Sequence, residues 1–135
     1  MEPVLQINQR ANGSILIVED NDAVRNSLYE WLSGAFPNCR FMKTKSGERA
    51  VGLVSIDPPN IVLMDVGLPQ MNGIEATRRI KEKLPATEVV ILTVYEDEAY
   101  QADAAAAGAS AYILKRKIIS DLVPELSRRL ANVQG

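Results

Sequence analysis

The chain has no histidine and one cysteine among its 135 residues. Without histidine there is no Ser–His–Asp or Cys–His relay, no histidine-ligated zinc and no phosphohistidine carried on the chain itself. A single Cys39 excludes an intramolecular disulfide, and with it a disulfide-built secreted scaffold. It reads instead as a small packed apolar residue. An excess of one charge is also lacking: 15 basic residues meet 17 acidic ones, for a net −2. That argues against a strongly basic nucleic-acid-binding domain. No apolar run approaches the roughly 20 residues of a membrane span. The N-terminus lacks the basic-then-apolar layout of a secretion signal, so the expected address is the cytoplasm.

What is present is ordinary for one globular domain: 47% hydrophobic and 24% charged residues, with no linker, composition shift or internal repeat. Residues 1–13 have weak periodicity and end in the turn pair Asn12-Gly13, and are expected to form a mobile lead-in to a domain over 14–135. From there, short aliphatic runs alternate with helix-period segments. Ile15–Val18, Ile61–Met64 and Val89–Leu92 are runs of four apolar residues, as in strands covered on both faces. Ala111–Leu114 is a further strand, and the less apolar Arg40–Lys43 suits a sheet edge. Val24, Leu28, Trp31, Leu32 and Ala35 form one helical face. Ser46 is placed to cap a helix running to Val54, and another helix follows Asn72-Gly73 to about Leu84. An Ala-rich helix from Asp97 to Ala107 ends at Gly108, a candidate left-handed cap. Ile119, Leu122, Val123, Leu126, Leu130 and Val133 mark a final amphipathic helix. Pro124 suits only a first helical turn, which predicts a start near Ser120 or Asp121. Five strands alternating with five helices predict an α/β fold, a doubly wound parallel sheet with helices on both faces.

In such a sheet every strand points the same way, so the residues that follow the strands collect at one edge, where open α/β sheets bind ligands. Here those residues are Glu19 and Asp20, Asp65, Thr93 and Lys115. Three crowded carboxylates repel one another, and one ammonium cancels a single charge. Either a carboxylate takes up a proton or a cation fills the gap. Hard oxygen ligands with no nitrogen or sulfur among them suit Mg²⁺. Carboxylates, a divalent metal, a lysine and a hydroxyl make a phosphoryl-transfer site, in which an aspartate can itself be the nucleophile.

The order and identity of these residues resemble the response-regulator receiver domains of two-component signalling. The matching stretches are ILIVEDN (15–21), IVLMDVGLPQMNGIEATRRI (61–80), VVILTVYED (89–97) and GASAYILK (108–115). The resemblance implies a flavodoxin-like sheet in the order 2-1-3-4-5 and a signalling phosphoacceptor domain rather than an enzyme. It implies Asp65 as the phosphoacceptor, with Mg²⁺ bound by Asp20, by Asp65 and by the backbone carbonyl of Gly67, and by Glu19 through water. Thr93 would bond the phosphoryl group, Lys115 would pair with it, and Tyr112 would be the aromatic that follows Thr93. Gly67 and Tyr95 stand where the family tunes phosphoryl lifetime, and Tyr95 is expected to shield the acyl phosphate. The implied donor is a phosphohistidine on a sensor histidine kinase or phosphotransfer protein. The face of the fourth helix, fifth strand and fifth helix would shift and could pair two copies.

The sequence departs from the family at two places. Arg116 follows Lys115 where proline is common, which leaves the geometry of that peptide bond open. That non-proline residue, GLP after Asp65 and EATRRI in the next helix resemble receivers of LuxR-type transcription factors. Val94 is larger than the usual small residue and is expected to narrow access to the site. Plainer readings stand beside these. Glu19 and Asp20 could cap a helix, Asp65 could be a loop carboxylate and Thr93 a strand end, and Tyr112 could be core. Lys115-Arg116-Lys117 could be an anion or nucleic-acid patch, although Arg116 and Lys117 are expected on a solvated face. Arg78, Arg79, Lys81 and Lys83 are expected to be exposed. A haloacid-dehalogenase-type phosphatase needs a second aspartate where Gly67 stands, and no Gly-Lys-Ser/Thr loop supports nucleotide chemistry. The alternative is a receiver whose acidic site is vestigial, acting as an interaction module. Ending soon after the fifth helix, the chain is expected to leave no room for a DNA-binding domain. It reads as a stand-alone receiver or the front of a LuxR-type regulator, without nucleic-acid or membrane binding of its own.

Overall fold

The computed structural model describes residues 13–134. Strand and helix alternate throughout: β1 Ser14–Val18, α1 Asp22–Ala35, β2 Arg40–Thr44, α2 Gly47–Ile56, β3 Ile61–Asp65, α3 Gly73–Lys83, β4 Glu88–Thr93, α4 Glu98–Ala106 and β5 Ala111–Leu114. A 3-10 turn at Lys115–Lys117 then leads into α5, Ile118–Gln134. All strand pairs are parallel and the sheet order is β2-β1-β3-β4-β5, the doubly wound order expected. The expected lead-in at 1–13 lies, Gly13 apart, outside the described residues.

Alternation along the inner strands divides the core in two. Leu16, Val18, Val62, Met64, Val89 and Ile91 pack with Ala50, Val54, Ala76, Ile80 and Ala104 of α2, α3 and α4. Ile15, Ile17, Ile61, Leu63, Val90 and Leu92 pack with Leu28 and Leu32 of α1 and with Leu122 and Leu126 of α5. Both faces of β1, β3 and β4 are therefore buried, which is why they read as unbroken apolar runs. The less apolar β2 lies at an edge, as its composition requires. Asn21, Ser46 and Asn72 cap α1, α2 and α3 by accepting from the backbone N–H of Val24, Arg49 and Glu75. Gly108 takes the left-handed conformation at φ +103°. No helix among the described residues is long and apolar enough to cross a membrane.

Three expectations need correction. α5 starts at Ile118, so Pro124 lies in its interior rather than its first turn. The Ser120 carbonyl that loses its partner belongs to an exposed residue, where solvent can take up the bond, while Leu122, Leu126 and Leu130 hold the helix on the sheet. Val24 and Ile119 do not join the buried faces: they are 39% and 78% exposed. They border an apolar groove with Ala23, Trp31 and Ile118. Both sit in the first turn of their helix, beyond the strand ends. Ala35, also assigned to the buried face, is exposed at the other end of α1. Lys81 is half-buried, because its ammonium donates to the carbonyls of Pro85 (2.6 Å) and Thr87 (2.7 Å). Arg78, Arg79 and Lys83 are exposed as expected.

Candidate phosphoacceptor site

Strand register brings the sequence-predicted residues to one edge. Val18 is level with Met64, so Glu19 falls level with Asp65. Asp65 pairs with Leu92, and Thr93 with Leu114, which places Lys115 one residue beyond. The carboxylates of Glu19, Asp20 and Asp65 lie within 4.8 Å of one another. Lys115 Nζ donates to Glu19 Oε1 at 3.0 Å and stands 3.5 Å from Asp65 Oδ1. Burial draws the Lys115 pKa down, but the Asp65 and Glu19 carboxylates outweigh it, and the net shift is upward.

The three acids are not equivalent. Glu19 is 4% exposed and both its carboxylate oxygens are engaged, since Oε2 accepts from the backbone N–H of Asn21 (3.1 Å). Its backbone is held as well: its N–H donates to Thr44 O and its carbonyl accepts from Arg25 Nη1. Asp20 is exposed. Asp65 Oδ1 also accepts a long bond, 3.4 Å, from the N–H of Gly67. Neither Glu19 nor Asp20 caps α1, because Asn21 does. The donor set is wholly hard oxygen, three carboxylates against one ammonium, and it fits a small divalent cation such as Mg²⁺.

Thr93 is fully buried and its Oγ1 accepts from the N–H of Tyr95 (3.1 Å). Tyr112 donates its hydroxyl to the Tyr95 carbonyl (2.8 Å), which ties β5 to the loop between β4 and α4. Partial burial raises the Tyr112 phenol pKa, with the neighbouring Thr93 hydroxyl opposing. The Tyr95 ring stacks on Tyr100 with centroids 4.7 Å apart. A Cβ built on Gly67 would lie 4.0 Å from the Tyr95 hydroxyl, so the tyrosine reaches across to the loop after Asp65. Beside it is a cavity of about 450 Å³ bordered by Gly67, Leu68, Tyr95 and Tyr100. Val94 is 66% exposed and points away from the packed interior. The Lys115–Arg116 bond, open from sequence, is trans.

Some contributors were missed by sequence reasoning. A Cβ on Gly73 would fall 2.0 Å from the Asp65 carbonyl oxygen, so only glycine lets α3 start so close to the acid. The Asn-Gly pair signalled a turn there, but the close approach has no one-dimensional trace. Arg116, expected on a solvated face, is exposed but forms a two-pronged pair with Glu96, at 3.0 and 3.1 Å. Tyr100 could have been noticed five residues after Tyr95, one turn into the helix.

This edge geometry accompanies likeness to known proteins. The model of the response regulator receiver domain matches residues 15–127. Transcriptional regulatory protein DegU of Brevibacillus brevis is 32% identical over 112 residues, covering 81% of this chain and 48% of its own length. Transcriptional regulatory protein LnrK of Bacillus subtilis is 37% identical over 101 residues, covering 75% of this chain and 46% of its own. The chain thus spans about half the length of the curated relatives it matches. The crystal structure of a LuxR-family two-component response regulator from Aurantimonas sp. SI85-9A1 superposes with a TM-score of 0.81 at 32% identity, over 89% of this chain and 86% of that one. With the sheet order, the acidic edge and the family match in agreement, the chain belongs to the response regulator receiver domains.

Proposed function

We propose that this receiver, spanning 14–135 behind a short lead-in, takes a phosphoryl group onto Asp65 from a phosphohistidine of a sensor histidine kinase or phosphotransfer protein. The observation that carries this reading is the meeting of the Glu19, Asp20 and Asp65 carboxylates within 4.8 Å, with the Lys115 ammonium beside Asp65. An Asp65 carboxylate oxygen attacks phosphorus, the O–P bond replaces the donor's N–P bond, and the departing imidazole nitrogen takes a proton from solvent. Lys115 offsets the arriving negative charge, and the Thr93 hydroxyl turns from the Tyr95 amide to donate to a phosphoryl oxygen. Tyr112 follows Thr93, and Tyr95 with Gly67 governs the approach of water. Asp20, Asp65 and the Gly67 carbonyl would hold Mg²⁺, with Glu19 acting through water, as its fully used carboxylate favours. When bound, the ion neutralises charge shared by the carboxylates and the phosphoryl oxygens.

The added charge biases the face of α4, β5 and α5, through which two copies would pair. DNA would be reached only through a further domain of a longer regulator, and the cytoplasm is the compartment that suits the donor. Incubation with acetyl phosphate and Mg²⁺, read by intact mass, is expected to add one phosphoryl group. The gain should vanish in Asp65→Asn and on chelation with EDTA. A wild-type chain that gains no mass would overturn the reading in favour of a phosphorylation-independent interaction module, and a gain surviving Asp65→Asn would misplace the acceptor.

A further inference from the structure

The loop from Val94 to Asp97 is lightly anchored by packing. Residues 94–99 are all exposed, Asp97 makes no side-chain capping bond to α4, and Ala104 is the helix's only buried residue. Such a segment belongs to the low end of local stability, where one added tie changes how often it opens. Yet this loop carries the Tyr95 N–H bonded to Thr93 and the Tyr95 carbonyl bonded to Tyr112. Glu96 is the next residue, and its carboxylate takes two bonds from Arg116 across 20 residues of sequence. Arg116 in turn directly follows Lys115, whose ammonium sits on Glu19 and Asp65.

We propose that Glu96 and Arg116 are positioning residues: their paired charges clamp the β4–α4 loop to the turn after β5 and hold Thr93 and Tyr95 beside Asp65 before any phosphoryl group arrives. A guanidinium suits this task because its planar fork meets both carboxylate oxygens at once, which fixes direction as well as distance. Proline, common at this place in the family, offers no such donor. The pair holds the Glu96 carboxyl below its ordinary range through the Arg116 hydrogen bond and charge, in keeping with a formed contact. The consequence for the phosphoryl site rests on the function proposed above, whereas the clamp itself does not.

The test is hydrogen exchange of the 94–97 amides in the unmodified full chain, comparing wild type with Glu96→Gln, Arg116→Gln and the swapped double variant E96R/R116E. Exposed ion pairs of this kind correspond to about a two- to fivefold change in opening. Each single variant is expected to exchange faster by that factor, the swap to restore protection, and added salt to speed exchange in wild type but not in the single variants. Both side chains are exposed, so thermal midpoints should stay close to wild type and report intact folding. Unchanged exchange in the single variants, or a swap as open as they are, would overturn the clamp. Failure of acetyl phosphate to modify wild type would sink the phosphoacceptor reading without touching this measurement.

Discussion

At the residue level, the site sorts similar groups by how each is already occupied. Glu19 and Asp20 are adjacent in sequence, but one is buried with both oxygens bonded and the other is exposed. The network ties Glu19 to Lys115 and Asn21, while Asp20 stays exposed, which suits the cation-binding role proposed for it. Tyr95 is defined by its reach toward Gly67 and its stack on Tyr100. Under the proposed function, its ring would stand between solvent and the loop that follows Asp65. Removing it in Tyr95→Ala is expected to speed loss of the phosphoryl group about three- to tenfold, up to roughly 1.4 kcal/mol of barrier. Following the decay of the phosphorylated mass in EDTA measures this directly, and equal lifetimes would remove Tyr95 from the mechanism.

At the level of elements, α5 shows where local preference yields to packing. Pro124 is a poor residue for the seventh position of a helix, since it deletes a backbone bond to the Ser120 carbonyl and crowds it. The helix persists because Leu122 and Leu126 are fully buried against the sheet, and the residue whose carbonyl loses its bond, Ser120, is exposed. Replacing the ring should release that local cost. Pro124→Ala is expected to raise the unfolding free energy by about 1–3 kcal/mol, observable as a higher denaturant midpoint at unchanged slope. No gain would mean that the helix start already absorbs the proline without strain. The same competition hid the start of α5 from sequence: propensity placed it at Ser120 or Asp121, while the 3-10 turn at Lys115–Lys117 carries the chain straight into Ile118.

Across the whole molecule, one polar network ties the sheet's far edge to α5. Arg129 donates to Glu88 at 2.7 Å, to Glu125 at 2.6 Å and to the Ser110 carbonyl at 3.0 Å, and the Ser110 hydroxyl donates to Glu88. Burial works to raise the Glu88 and Glu125 pKa values, but Arg129 with the Ser110 hydroxyl at Glu88, and Arg128 with Arg129 at Glu125, outweigh it, and both end below their ordinary value of 4.5. A carboxylate whose folded pKa is depressed contributes stability that is present above its unfolded pKa and is lost as pH falls through the folded one. The network therefore stabilises fully above about pH 4.5 and fades below it. Arg129→Met should cost about 1–3 kcal/mol at pH 7 by leaving Glu88 without its arginine and Glu125 with Arg128 alone. That cost should shrink as pH falls below 4.5, when these acids protonate. Chemical denaturation at pH 7 and pH 4 compares the two, and a pH-independent difference would rule out the charge network as its source.

The architecture was readable before any coordinates because buried parallel strands must be apolar on both faces, and Ile15–Val18, Ile61–Met64 and Val89–Leu92 carry that mark. Strand polarity then obliges Glu19, Asp20, Asp65, Thr93 and Lys115 to share an edge, so the candidate chemistry was also visible in one dimension. Contacts between residues far apart in the chain were not. The Glu96–Arg116 pair, the Arg129 network, the nearness of Gly73 to the Asp65 carbonyl and the exposure of Val24 and Ile119 depend on how loops and helix ends stack in space. Periodicity records which face of an element is apolar, but a side chain's partner is set by the packing of other elements, and that information enters only when the chain closes on itself.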